Sequence, residues 1–199
     1  MARPRSVPED EAVERALVLF WEQGFDRTSI SDLSAAIGVG PSSIYNAFGS
    51  KEELFRRAIA RYVETHAAPT MELVSEESDL GVVEFVRKLL RGLASLYTTE
   101  GQPLGCAIFQ GAGAGGSDET SAQAVTLELK QRLQDSLARR FRELARRGEV
   151  LAAPPRTLAV FLIGTLCGIS QLACDGASRA DLMKVADLAA KSCAGPSAG

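Results

Sequence analysis

The stretch "GVGPSSIYNAFGSKEEL", residues 38–54, interrupts a chain that otherwise consists of long helical patterns. Pro41 suits the first position of a helix, and Gly40 precedes it. Only about two helical turns fit before Gly49, which favours a chain reversal. The spacing therefore predicts a short helix over residues 41–48 that begins and ends at glycine-containing breaks.

Helical periodicity continues on the N-terminal side of this short piece. One amphipathic stripe ends at Gly24, and its apolar members are Val13, Ala16, Leu17, Phe20 and Trp21. Thr28 or Ser29 can cap a second helix that stops at Gly38. The two short helices and the tight break between them are typical of a helix-turn-helix module.

A longer helix follows the short one. Ser50 and Glu53 have the spacing of an S-x-x-E capping box, and an apolar stripe runs from Leu54 to Val63. Further patterns predict helices over residues 82–97, 125–147, 155–174 and 178–193, with a Pro- and acid-rich connection after residue 66. No stretch alternates with period two, so the sequence predicts an all-α fold with domains at residues 1–66 and 67–199.

Residues 157–174 form an 18-residue run without a charged side chain. That length just meets the requirement for a membrane span. Two glycines, two threonines, Ser170 and Gln171 dilute the run, and no basic flank follows it. A fully buried helix of a soluble protein is the favoured interpretation, with Gly164 and Gly168 at a close helix contact.

Composition narrows the classes of function. The formal charge of -3 argues against a protein wholly devoted to polyanions but does not exclude a local site. The N-terminus lacks an apolar signal segment, which favours a cytoplasmic location. A single histidine and the absence of a C-x-x-C pair disfavour zinc and catalytic triads, and no cofactor is expected. "GAGAGG", residues 111–116, matches a dinucleotide-binding turn but lacks the flanking βαβ pattern.

The outward face of the short helix is uncharged and rich in hydrogen-bonding groups. Ile44 and Phe48, four residues apart, point inward, which leaves Ser42, Ser43, Tyr45 and Asn46 outside. A DNA major groove admits such a helix, and asparagine can pair with an adenine edge. Lys51, Thr28 and Ser29 lie at helix N-termini that favour phosphate. The alternative is a polar turn in an ordinary helical bundle.

A resemblance favours the DNA-binding interpretation. The run "ALVLFWEQGFDRTSISDLSAAIGVGPSSIYNAFGSKEELFRRAI", residues 16–59, resembles the DNA-binding domain of the TetR family of bacterial transcriptional regulators. The matching features include "GF" at residue 24, "TS" at residue 28, "IGV" at residue 37 and "IYNAFGSKEELF" at residue 44. One departure is Ala47, where many relatives have histidine, so the resemblance does not imply which bases are read.

The resemblance implies a homodimeric, all-α repressor that a small molecule releases from a palindromic operator in double-stranded DNA. Its DNA contacts would include the turn residues Gly40 and Pro41, the outward residues named above, the phosphate-contacting Tyr45 and Lys51, and the helix-two residues Thr28 and Ser29. Arg3 and Arg5 would lie on an arm near the minor groove. The last two helices would form the dimer interface.

The C-terminal part is the expected site of ligand binding and dimerisation. Its apolar candidates for contact with a small-molecule effector are Phe85, Leu89, Tyr97, Phe109 and Phe161, with core packing as the alternative for each. The sequence thus indicates a ligand-responsive DNA-binding regulator and not an enzyme. The competing hypothesis is a helical enzyme or a protein-interaction module that does not bind DNA.

Overall fold

The computed structural model describes residues 7–75, 78–111 and 121–196. Ten α-helices lie in these ranges, with a π-helical turn, Val63–Ala67, after the fourth. The helices are α1 (Glu9–Gln23), α2 (Ile30–Ile37), α3 (Pro41–Phe48), α4 (Lys51–Tyr62), α5 (Ala68–Ser75), α6 (Val82–Leu96), α7 (Ala107–Gln110), α8 (Ser121–Arg146), α9 (Pro155–Cys174) and α10 (Arg179–Ser192). Apart from an isolated bridge between Leu151 and Ala194, the described residues contain no β-structure, and the all-α prediction is confirmed.

Two helices were not expected from the sequence. Helix α5 begins at Ala68, just before Pro69, inside the stretch after residue 66 that was expected to be a connection. Proline is tolerated in the first turn of a helix because the N–H that it lacks has no partner there. Helix α7 has only four residues, which is too short for a periodic pattern to appear.

The chain divides into two compact units. Unit one contains Met1–His66 and Cys106–Leu127, and unit two contains Ala67–Gly105 and Glu128–Gly199. The sequence predicts domains at residues 1–66 and 67–199, whereas Cys106–Leu127 clusters with unit one. Contacts between residues distant in sequence explain this clustering. The Phe25 N–H donates to the Gly111 carbonyl at 2.6 Å, and the Tyr62 hydroxyl donates to Cys106 Sγ at 3.5 Å.

Unit one is held by an aromatic core between α1 and α4. The Phe20 and Phe55 rings meet edge to face at 5.1 Å, and Phe25 meets Phe55 at 5.2 Å. Tyr62 is also buried, and its loss of hydration raises the pKa of its hydroxyl well above the ordinary value. This core supports the two short helices, α2 and α3.

Unit two is built around α6. The Phe85 ring of α6 meets the Phe141 ring of α8 at 6.0 Å. Both ends of α6 are capped from elsewhere in the unit: Glu149 accepts a hydrogen bond from the Val82 N–H at 3.2 Å, and Arg179 donates to the Ser95 carbonyl at 3.4 Å. An acidic group at the helix start and a basic group at its end both complement the helix dipole.

Helix α9 differs from the fully buried helix that was expected. It is the one helix in the described part of the chain that is long and apolar enough to span a membrane. Only 39% of its most apolar 18-residue segment is buried, however. Seven of its exposed residues recur at helical spacing and therefore lie on one face: Val160, Phe161, Gly164, Cys167, Gly168, Gln171 and Leu172. The thiol of Cys167 is exposed on this face, whereas Cys193 is buried.

Candidate nucleic-acid interface

The two-turn helix α3 has the boundaries expected from its glycines. Gly40 occupies the N-cap position, Pro41 follows it, and Gly49 ends the helix with a φ of 78°. A positive φ is costly for other residues, which explains the glycine at this end. Ile44 and Phe48 are buried and hold α3 against the rest of unit one.

Helix α3 presents a neutral, polar surface. Ser42, Ser43 and Asn46 are exposed, and Tyr45 is half exposed, at 50% of its maximum. Ala47, also exposed, adds a small apolar surface to the same helix. None of the eight residues of α3 carries a charge, so the helix can present hydrogen-bonding and apolar groups to base edges but no cation to a phosphate.

Lys51, predicted to contact phosphate, instead makes its hydrogen bonds within unit one. Its ammonium donates to the carbonyl oxygens of Phe25 at 3.0 Å and Thr28 at 2.9 Å. The same nitrogen lies 4.1 Å from the centroid of the Phe25 ring. Lys51 therefore joins the start of α4 to the turn that precedes α2.

Thr28 does not present its side chain to solvent. The residue is fully buried, and its hydroxyl donates to the Gly24 carbonyl at 2.7 Å. The hydroxyl predicted to contact phosphate therefore lies inside unit one, bonded to the residue that ends α1. The sequence showed that a small hydroxyl residue stands near a helix start, but not that the backbone of the preceding turn would use it.

Ser29 is the N-cap of α2. Its side chain accepts a hydrogen bond from the Asp32 N–H at 3.1 Å, while its own N–H donates to the Asp32 carboxylate at 2.8 Å. The Ser29 hydroxyl also donates to that carboxylate, and this hydrogen bond is the main cause of a lowered Asp32 pKa. The reciprocal pair is a capping box that determines where α2 begins.

Arg15 caps the opposite end of α2 from α1. Its guanidinium donates to the carbonyl oxygens of Ile37 at 2.8 Å and Ala36 at 3.4 Å. The same group pairs with Glu11 on α1. The last carbonyls of a helix have no partner within it, so this contact stabilises the beginning of the turn between α2 and α3. Sequence reasoning missed Arg15, since it lies more than 20 residues from its acceptors.

Arg27 is the second missed residue. It is exposed in the turn before α2, and its Nε donates to the Gln23 carbonyl at 2.7 Å. The only sequence signal was its position two residues before the Ser29 cap. Arg3 and Arg5, proposed for a minor-groove arm, lie outside the described residues, as do residues 112–116 of the glycine-rich motif.

The predicted ligand contacts do not form one cluster. Phe85, Leu89 and Tyr97 are buried in unit two, whereas Phe109 belongs to unit one. Phe161 is 41% exposed on α9 and is therefore not buried with the other candidates of unit two. Periodicity placed these residues on apolar faces but could not distinguish a face directed to the core from one directed outward.

The α1–α4 region matches a model of a known family. The model, described as bacterial regulatory proteins of the tetR family, covers residues 12–58. Two repressors of Escherichia coli strain K12 are similar in sequence. BdcR is 35% identical over 109 residues, which are 55% of this chain and 54% of BdcR, about half the length of that relative. ComR is 31% identical over 190 residues, 92% of this chain and 88% of ComR.

The fold is similar to that of a solved regulator bound to DNA. A cysteine mutant of the TetR family transcriptional regulator CifR, complexed with a 26-base-pair operator duplex, superposes with a TM-score of 0.86. The match is 28% identical and covers 96% of this chain and 100% of that chain. The similarity thus extends beyond α1–α4 to nearly all of the present chain.

Proposed function

This chain belongs to the TetR family of bacterial regulatory proteins, and on that premise we propose that it is a ligand-responsive, sequence-specific regulator of transcription. It acts as a repressor that binds a palindromic operator and leaves it when a small molecule binds. The observation that carries the proposal is the neutral, hydrogen-bonding surface of α3, held by buried Ile44 and Phe48 beside a capped α2. BdcR and ComR, both transcriptional repressors, support the direction of regulation.

Base recognition is assigned to α3. Asn46 can form paired hydrogen bonds with an adenine edge, while Ser42 and Ser43 reach either bases or phosphates. Tyr45 is exposed enough to contact the backbone. Gly40 and Pro41 contribute by placing the first turn of the helix, with the Ser42 N–H, at the DNA.

A palindromic operator has two half-sites and therefore requires two copies of α3. The second copy is proposed to come from another molecule of this chain. Helix α10, which packs against α9, also exposes apolar side chains: Leu188 is 68% exposed and Val185 is 37% exposed. Gly164 and Gly168 of α9 have open space where a side chain would be, so a partner helix can approach closely. A twofold dimer would cover both helices.

The effector is proposed to bind unit two beside α6. Phe85, Leu89 and Tyr97 stay as candidate contacts, and a ligand would reach these buried side chains only when the unit opens. Phe161 is reassigned to the dimer face because it is exposed on α9. The regulator is not an enzyme and acts in the cytoplasm, where the DNA is.

Genome-wide mapping of bound DNA, followed by salt titration of the mapped site, tests the proposal. We expect enriched sites with a shared palindrome and an affinity that falls as salt rises, because cations in both half-sites neutralise phosphates. Equal affinity for the mapped site and a scrambled duplex would show that the module does not read sequence. Added effector should lower the affinity for the mapped site.

A further inference from the structure

The electrostatics of unit one leave few cations for phosphate. Residues 7–66 contain ten acidic and six basic residues, and α3 has no charge. Phosphate contacts contribute much of the affinity of a DNA-binding protein, and they require cations at defined places. The partners that each cation has in this region therefore indicate which cations are available to bind phosphate.

Most of these cations already have a partner. Arg56 pairs with Glu53 at 2.6 Å, Arg57 pairs with Glu9, and Arg61 pairs with Glu14 at 3.2 Å. Arg15 and Lys51 bind carbonyl oxygens at the two ends of the α2 segment. Among the described residues of unit one, Arg27 is thus the exposed cation that has no carboxylate partner.

Arg27 is also held in a defined position. It lies in the turn of residues 25–27, and Lys51 binds the carbonyls of Phe25 and Thr28 on either side of it. The Arg27 Nε donates to the Gln23 carbonyl at the end of α1, which restricts the guanidinium. Its two terminal nitrogens remain for a ligand, and a planar fork of this kind suits two oxygens of a phosphate.

We infer that Arg27 binds a backbone phosphate of the operator beside the start of α2, the role that the sequence had assigned to Lys51. The N–H groups of Ile30 and Ser31, in the first turn of α2, have no acceptor within the helix and add a favourable dipole. Arg27 neutralises one phosphate in each half-site and fixes the position of α3 without reading bases. This inference rests on the proposed function.

The test compares Arg27→Ala, Arg27→Lys and Arg56→Ala in the full-length chain. The probes are the duplex bound best by the wild type from a random-sequence library and a scrambled duplex of the same composition. Affinity is measured for both over a range of salt concentrations. Arg56→Ala is the matched control, since it removes the same charge from an exposed position in the same unit.

We expect Arg27→Ala to reduce the slope of log affinity against log salt by about 0.9 for each half-site bound, on both duplexes. The ratio of affinities for the two duplexes stays unchanged, Arg27→Lys keeps the slope, and Arg56→Ala has the wild-type slope. The inference is overturned if Arg27→Ala keeps the wild-type slope or if Arg56→Ala reduces it equally. A wild type that binds both duplexes equally would instead overturn the proposed function and the inference with it.

Discussion

The ammonium of Lys51 lies 2.9 Å from the carbonyl oxygen of Thr28, across 23 residues of sequence. A second hydrogen bond to Phe25 makes this lysine a link between α4 and the turn before α2. Because the Lys51 ammonium already donates to two carbonyl oxygens of its own unit, its main contribution is to the stability of the fold. This arrangement separates the structural role of Lys51 from the phosphate-binding role proposed for Arg27.

Lys51→Met should therefore lower the free energy of unfolding by about 2 kcal/mol, because two carbonyls lose a charged donor. Urea denaturation followed by circular dichroism measures this change. Lys184→Met is the control: Lys184 is exposed and pairs only with Asp181, so its loss should change stability little. Unchanged stability of Lys51→Met, with a salt slope reduced by about one, would support the phosphate contact inferred from sequence.

Asn46→Ala should weaken binding to the selected operator by about 1–3 kcal/mol, because one base loses a paired hydrogen-bonding partner. Affinity for scrambled DNA and thermal stability should change little, since Asn46 is exposed. Competition with operators substituted one base pair at a time would locate the loss. A uniform loss across all sequences would indicate that Asn46 contacts the backbone instead.

Arg15→Ala should lower stability by about 1 kcal/mol, because two carbonyls at the end of α2 lose their donor. The turn before α3 becomes less ordered, so operator affinity should fall with an unchanged salt slope. Arg15→Lys should restore part of the stability. A reduced salt slope for Arg15→Ala would show that this guanidinium contacts phosphate when DNA is bound.

Leu188→Asp should convert the proposed dimer to monomers without unfolding the chain, because Leu188 is exposed in the single chain. A charge buried in an interface without a partner costs several kcal/mol. Sedimentation velocity measures the oligomeric state, and the affinity for a palindrome should fall with it. Leu127→Asp, at another exposed leucine, is the control. If the wild type sediments as a monomer, the α9–α10 face has another role.

The capping box predicts a dependence of stability on pH. The Ser29 hydroxyl and N–H lower the pKa of Asp32 below its ordinary value of 3.8. The ionised carboxylate is therefore favoured by folding, and its contribution is present above the ordinary value and lost as the pH falls through the lowered one.

Asp32→Asn removes this contribution, so the variant should be less stable than the wild type at pH 7. The difference should shrink in strong acid, where the wild-type carboxylate is protonated. Denaturation curves of both proteins at several pH values measure it. A difference that is constant with pH would mean that the charge of Asp32 has no part in the cap.

Local sequence patterns predicted most of the helices, including α3, which is proposed to contact the bases. Apolar spacing, the caps at Ser29 and Ser50 and the glycines around α3 act between residues at most four apart, so they can be read along the chain. The same patterns identified the exposed residues of α3, because buried Ile44 and Phe48 determine which face points outward.

Contacts between residues that are distant in sequence could be identified only from the folded structure. The acceptors of Lys51 and Arg15 and the burial of Thr28 depend on how α1, α2 and α4 pack, which no local pattern describes. The inclusion of Cys106–Leu127 in unit one and the exposed face of α9 have the same origin. Periodicity shows that a helix has an apolar face, but packing decides whether the chain itself covers that face or leaves it for a partner.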